Sequence, residues 1–233
     1  MKNLIFSILF ILPIISYSID FKIGLLRNVK LKKVRITVND ENFILKSTKN
    51  HFKTKVNSEN KLIVEYIKGK ISLFIDEKYI GKFDTLKLSN ISKDTCVFKI
   101  KSVIPNLKIR SYYDDLVIFP QKNAISLVNL IDFERYIIGV LESEVGVGQS
   151  EDFYKVHAII SRTYALKNQY KFIHQGFYLT DLVNCQVYKG KMYKDQTIIN
   201  AIRATENLIL VDENMDYITS KLTLLFFQIH HKI

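Results

Sequence analysis

The amino-acid sequence predicts an α+β fold, with a β-rich N-terminal half followed by a helix-containing core with mixed strands. Three observations lead there. Up to about Asn129 the apolar residues fall in short runs rich in Ile, Val, Phe and Tyr, separated by clusters of Asn, Asp, Lys and Ser, as half-buried strands and their turns do. After Asn129 the apolar spacing lengthens to the three to four residues of a helix face. The composition bounds the rest: 233 residues, 48% hydrophobic and 24% charged, with eight Gly and three Pro, fit a packed globule and exclude a collagen-like, low-complexity or disordered chain.

At the start of the chain, Met1-Lys2-Asn3 is short and positive, and Leu4 to Ile15 is an apolar run broken by Ser7 and Pro13. Ser16-Tyr17-Ser18 then sets small residues where a signal peptidase reads. About twelve apolar residues fall short of the roughly 20 that span a bilayer, so residues 1–18 are expected to be a secretory signal peptide. No Cys stands at the junction to carry a lipid. The chain is therefore expected to be exported, to the periplasm or cell envelope, and to touch a membrane only through this segment. In an oxidising compartment Cys96 and Cys185 leave three readings: one long-loop disulfide, two buried thiols, or a metal ligand, with buried thiols favoured.

Residues 19–127 form the β-rich part. Strands are expected at Phe21 to Leu26, Val34 to Val38, Lys61 to Tyr66, Ile71 to Ile75, Val97 to Ile100 and Leu116 to Phe119. Turn signals stand at Val38-Asn39-Asp40 and Val56-Asn57-Ser58. Residues 128–220 form the core, with no Pro/Gly/Ser-rich linker before them. Phe133, Tyr136, Ile137 and Val140 predict a helix over about Asp132 to Ser143. A longer helix starts behind Ser150, whose hydroxyl caps the first free amides while Glu151 and Asp152 complement the dipole. It is expected to run to about Tyr170 with Phe153, Val156, Ile160, Tyr164 and Lys167 on one face. A third helix is expected from Asp195 to Thr205 and a strand at Leu208 to Val211.

The formal charge is +11, carried by 28 Lys and only six Arg. A diffuse basic surface favours anionic partners such as wall polymers, acidic lipids or nucleic acid. The scarcity of Arg argues against bidentate recognition of phosphates or bases, and with the export signal it disfavours nucleic acid.

The segment Leu141 to Gly148 places Glu142 and Glu144 where a helix ends beside Gly146 and Gly148. A carboxylate there meets the negative end of the helix dipole, which raises its pKa and favours the protonated form a general acid needs. A solvated helix end is the bland alternative.

Val128 to Val140, Glu144 and Lys155 to Leu166, with its Arg162-Thr163-Tyr164-Ala165-Leu166, together resemble the SpoIID/LytB family, the stage II sporulation protein D group. Asp181 to Gly190 is similar to that family's Gln-x-Tyr-x-Gly segment, through Gln186, Tyr188 and Gly190. Ile198 to Leu210, with Ala201 and Thr205, is similar to its following helix and strand, and Lys22 to Leu26 to its first strand. The resemblance implies an exported lytic transglycosylase acting on peptidoglycan glycan strands, or a non-catalytic wall-binding or amidase-activating module. In such enzymes a single Glu protonates the glycosidic oxygen, and the sugar's own 6-hydroxyl is the nucleophile, so no second carboxylate is required. The matching position is Glu144; Glu142 has no such support.

The resemblance further implies substrate-binding roles for Arg162, Tyr164, Gln186 and Tyr188. An ion pair from Arg162 to Glu134 or Glu144 and packing of Tyr188 are the alternatives. Gln186 and Tyr188 alternate as on a strand with one face toward a cleft. His157, where the family usually shows Gln, is expected in or beside the core. Some members bind zinc through two Cys and a His just ahead of Gln-x-Tyr; the resemblance sets Thr180, Asn184 and Cys185 at those places here, and His174 could help only by reaching back from a loop. Neither a metal nor another cofactor is expected. Beyond Tyr217 to Ser220 the family's Gly-Gly stretch is missing, so residues 221–233 read as a divergent tail or a truncated or frame-shifted end.

Overall fold

The computed structural model describes residues 20–40, 43–91, 97–191 and 195–218. The expected signal peptide, Cys96 and the divergent tail lie outside the described residues. Twelve strands come first among the described residues: β1 (Asp20–Leu25), β2 (Lys33–Val38), β3 (Phe43–Ser47), β4 (Lys53–Val56), β5 (Leu62–Ile67), β6 (Lys70–Ile75), β7 (Lys78–Phe83), β8 (Leu86–Asn90), β9 (Val97–Ile104), β10 (Arg110–Tyr113), β11 (Asp115–Gln121) and β12 (Ala124–Asp132). Helices α1 (Phe133–Glu144) and α2 (Glu151–Lys167), the short strand β13 (Leu179–Thr180) and helix α3 (Gln196–Ala204) follow. This is the α+β arrangement that the texture of the sequence predicts.

The strands form two sheets, one ordered β13-β1-β12-β11-β8-β3-β4 and the other β10-β9-β2-β5-β6-β7. Apolar residues at every second position, such as Val34, Ile36 and Val38 on β2 or Leu86 and Leu88 on β8, are buried, and their neighbours are not. This period of two gives each sheet an inner face. The turn expected at Val56-Asn57-Ser58 is closed by Asn57, whose Oδ1 accepts from the amides of Glu59 and Asn60, whereas Asn39 accepts from the Val97 amide at the start of β9 and ties its turn to that strand. The first strand does not stay with the β-rich half. β1 lies between β12, to which it is antiparallel, and β13, to which it is parallel, so it is built into the sheet that carries the helices.

α1 begins directly at the end of β12. Asp132 caps it by accepting from the Arg135 amide at 3.0 Å, and the Arg135 guanidinium pairs with Asp114. Tyr136, Ile137, Val140 and Leu141 are fully buried, each contributing about 1.5–3 kcal/mol by removal from water. Phe133 and Tyr136 rest against Phe21 of β1, with centroids 5.0 and 5.2 Å apart. Ser150 caps α2 through the Phe153 amide at 3.3 Å, and Asp195 caps α3 through the Thr197 amide at 2.9 Å.

Three local expectations are corrected. The inner face of α2 is Tyr154, Ala158, Ser161 and Ala165, with Arg162 and Thr163 beside them, and not the stripe from Phe153 to Lys167. The small side chains let α2 close on its neighbouring helices, and the bulkier stripe lies at the rim, with Phe153 and Tyr164 part-buried against the core and Val156 half-exposed. Leu208 to Val211 is not a strand apart from a single bridge between Val211 and Tyr217. Its polar groups serve α2 instead: the Leu208 carbonyl accepts from Arg162 and the Leu210 amide donates to the Thr163 hydroxyl, both at 2.9 Å. Gln186 to Tyr188 also lies outside the ladders: the Val187 amide donates to the Glu144 carboxylate of α1 and the Tyr188 amide to the Asp181 carbonyl.

Candidate functional site

Glu144 is the last residue of α1, half-buried where the chain leaves the helix. Its Oε1 accepts from the Val187 amide at 2.7 Å. Burial pushes the carboxyl up to about 8, and the Val187 amide, which favours the charged form, offsets only part of that. The direction is the one expected from the sequence, and its largest cause is loss of water on burial. Because Oε1 is occupied by an N–H donor, the proton of the neutral acid belongs on Oε2.

The run Gln186 to Lys189 is fastened to α1, α2 and β12. The Tyr136 hydroxyl donates to Gln186 Oε1 at 3.2 Å, and Gln186 Nε2 donates to the Ser161 carbonyl at 3.3 Å. The Val187 amide holds Glu144. The Lys189 amide donates to Ser143 Oγ at 3.0 Å, and that hydroxyl donates to the Gly139 carbonyl at 2.6 Å. Between them the Tyr188 hydroxyl donates to Asn129 Oδ1 at 2.9 Å, while Asn129 Nδ2 donates to the carbonyls of Tyr113 and Asp115. Two glycines admit this run: a Cβ on Gly139 would stand 2.5 Å from Tyr188 Cε2, and one on Gly190, at φ +83°, 2.1 Å from the Ser111 carbonyl oxygen.

Tyr164 reaches the same place from α2. Its phenol is half-buried, and burial first, then Cys185 and Glu144, pushes it up to about 12. Its hydroxyl lies 3.5 Å from the Asn184 carbonyl oxygen. Cys185 is a buried free thiol. The structure thus gathers Glu144, Tyr164, Cys185 and the Gln186–Tyr188 run.

Arg162 stands elsewhere. Its Nε and Nη2 donate to the two carboxylate oxygens of Glu134 at 2.9 and 2.8 Å, and Nη1 to the Leu208 carbonyl. Glu134 lies ten residues before Glu144, about 15 Å along α1. Arg162, expected among the substrate-binding residues, instead spends its donors inside the fold, because a buried guanidinium needs its charge and hydrogen bonds matched. Gln186 and Tyr188 are likewise fully buried with their polar atoms bonded to protein, and neither faces a cleft. Glu142, two residues before Glu144, is buried on another side of α1, near enough to Tyr113 to help raise its phenol. His157 stacks on Phe153 with centroids 4.4 Å apart.

The residues at the family's zinc positions do not fit a metal. The Thr180 hydroxyl donates to Asn184 Oδ1 at 3.1 Å, so two of the places are bonded to each other, and only Cys185 is a soft donor. No group of three or more metal-ligating side chains stands together among the described residues.

Sequence reasoning singled out Glu144 and Tyr164, which the structure brings together, but not Ser143, Tyr136 and Asn129, which hold the run in place, nor the Val187 amide. A main-chain N–H leaves no mark in a sequence, and Ser143 stands 46 residues from the amide it binds.

Residues 121–211 match the SpoIID family model, described as a stage II sporulation protein, which is consistent with a cell-wall-related role. An uncharacterized protein of Brachyspira hyodysenteriae is 31% identical over 104 residues, covering 43% of this chain and 27% of that protein. The chain thus spans about a quarter of the length of that relative. No solved structure matches.

Proposed function

We propose that this chain, whose residues 121–211 carry a SpoIID domain, is an exported lytic transglycosylase that cleaves peptidoglycan glycan strands with Glu144 as its single acid and base. The observation that carries the reading is the placement of that carboxyl: half-buried at the end of α1, fixed by a main-chain amide on one oxygen, and pushed up to about 8 by burial. A general acid works best when its pKa lies near the operating pH. Glu142, the nearest carboxylate in sequence, is buried on another side of α1, which suits a reaction whose nucleophile belongs to the substrate.

Glu144 Oε2 gives its proton to the oxygen between N-acetylmuramic acid and N-acetylglucosamine, and the bond from that oxygen to the anomeric carbon breaks. The 6-hydroxyl of the muramyl residue attacks the anomeric carbon while the Glu144 carboxylate takes its proton. This restores the acid and leaves a 1,6-anhydro end. The Val187 amide, donating to Oε1, steadies the carboxylate in the intervening state. Tyr164 flanks the acid and offers a phenol edge to a sugar ring.

Glu144→Gln keeps the shape of the side chain and an acceptor for Val187 while removing the transferable proton. The expected result is loss of anhydromuropeptide release from purified wall with an unchanged circular dichroism spectrum. Release undiminished in the variant would remove Glu144 from the reaction. Wild-type protein that sediments with wall but generates no anhydro ends would establish instead the binding or amidase-activating module.

A further inference from the structure

The far end of the first sheet carries an arrangement that folding alone disfavours. Lys46 of β3 lies directly opposite Lys53 of β4 on one side and Lys87 of β8 on the other. Three ammonium groups thus share one row across three adjacent strands, on the face opposite buried Leu45, Leu86 and Leu88. Like charges in direct cross-strand register repel. Lys55 stands on the same face one row along, opposite Ile44, and Lys49 lies in the exposed turn joining β3 to β4. Lys87 is paired with Asp115 at 2.8 Å. Lys46, Lys53 and Lys55 are exposed and form no ion pair with a described residue.

β4 is the edge strand, and lysines on an edge guard against strand addition. That accounts for Lys53 and Lys55 but not for Lys46 and Lys87, which sit on interior strands where no edge needs guarding. Lys87 of β8 stands three strand spacings of about 4.8 Å from β1, about 14 Å, and Lys53 of β4 five, about 24 Å; the row thus runs toward the β4 edge of the sheet, while α1 packs on β1 and β12. We infer that the lysine row across β8, β3 and β4 is a second binding site that holds a carboxylate-bearing wall glycan away from the reacting centre. Its ligand is a polyanion whose charges repeat along a chain, because a flat row of point charges at strand spacing matches a line of anions and not a single enclosed one. Lysine ammonium groups without a guanidinium among them give charge attraction without bidentate geometry, as suits the spread carboxylates of a wall polymer better than the phosphates of nucleic acid. The choice of polymer rests on the proposed function; the site itself does not.

The test is sedimentation of the full chain with purified peptidoglycan sacculi at low and high salt. Wild type is expected to sediment at low salt and to be released as salt screens exposed charges, and Glu144→Gln to sediment as wild type does, whatever the fate of the catalytic reading. Lys46→Glu sets alternating signs along the row, so its melting temperature should be no lower than that of wild type while its affinity for sacculi falls about fivefold or more, the scale of losing an exposed charge contact. The double variant Lys53→Gln/Lys55→Gln should weaken binding in the same direction without touching an interior strand. The inference is overturned if both variants sediment as wild type does, if wild type fails to sediment, or if duplex DNA or phosphatidylglycerol vesicles compete better than soluble wall fragments at matched salt.

Discussion

At the scale of single residues, Glu144 ties stability to function through one proton. Its pKa is raised in the folded chain from 4.5 to about 8 by burial, so between those pH values the unfolded chain has released a proton that the folded chain keeps. Folding stability contributed by this group therefore falls as pH rises through that window, with no contribution below about 4.5, where both states are protonated. At about 1.4 kcal/mol per unit the penalty grows to a few kcal/mol. Glu144→Gln is expected to match wild type in urea melts near pH 4.5 and to exceed it by a few kcal/mol, at most about 5, at pH 9. Curves that stay parallel across that range would mean the carboxyl keeps its water. The same shift predicts that activity declines above about pH 8 as the acid is lost. Arg162 carries the opposite lesson. Arg162→Met leaves Glu134 without its bidentate partner and the Leu208 carbonyl without its donor. A loss of about 3–5 kcal/mol is expected, read as a fall in the denaturant midpoint.

At the scale of elements, the helices were legible because their signals are local: a capping Ser150 or Asp195, an apolar spacing, a turn beyond. The strands read from sequence were those rich in Ile, Val or Phe, such as β2, β6 and β9. β4 and β8 were not, because Lys53-Thr54-Lys55-Val56 and Leu86-Lys87-Leu88-Ser89-Asn90 alternate with Lys and carry too few apolar residues to stand out from a turn. Gln186 and Tyr188 do alternate inward as a strand would, yet the partners of that run are Glu144 and Ser143, side chains no periodicity announces. That fastening depends on Gly139. Gly139→Ala improves helix propensity by about 1 kcal/mol, but its methyl group would meet the Tyr188 ring, and overpacking costs about 1–3 kcal/mol. The expected outcome is a less stable chain that also releases fewer anhydro ends, since displacing Tyr188 shifts Val187 from Glu144. Adding Tyr188→Leu should recover part of the lost stability; a single variant as stable and active as wild type would show that the run does not position the acid.

At the scale of the molecule, the region that matches the family model is not a unit the architecture can release. Residues 121–211 include β12, the three helices and β13, but β12 and β13 are joined only through β1, which lies between them. Asp181 looks outside the region as well: its Oδ2 accepts from the Leu26 amide at 2.9 Å and from Arg110 at 3.0 Å. Burial pushes this carboxyl up, and these donors pull it back toward the charged form. Phe21, whose ring meets Phe133 and Tyr136 of α1, is also left out. A fragment of residues 121–211 would therefore expose both long edges of β12, strip an aromatic wall from α1 and leave Asp181 without its donors, each a cost that backbone and charge burial make severe. The full chain is expected to unfold in a single cooperative transition followed by circular dichroism, and the fragment to give no cooperative transition. Supplying residues 20–120 as a separate chain should restore one if the sheet reassembles around β1. A fragment that melts cooperatively alone would show that β1 and the strands before β11 are accessories to the helical core, and would reverse the order in which the two parts depend on each other.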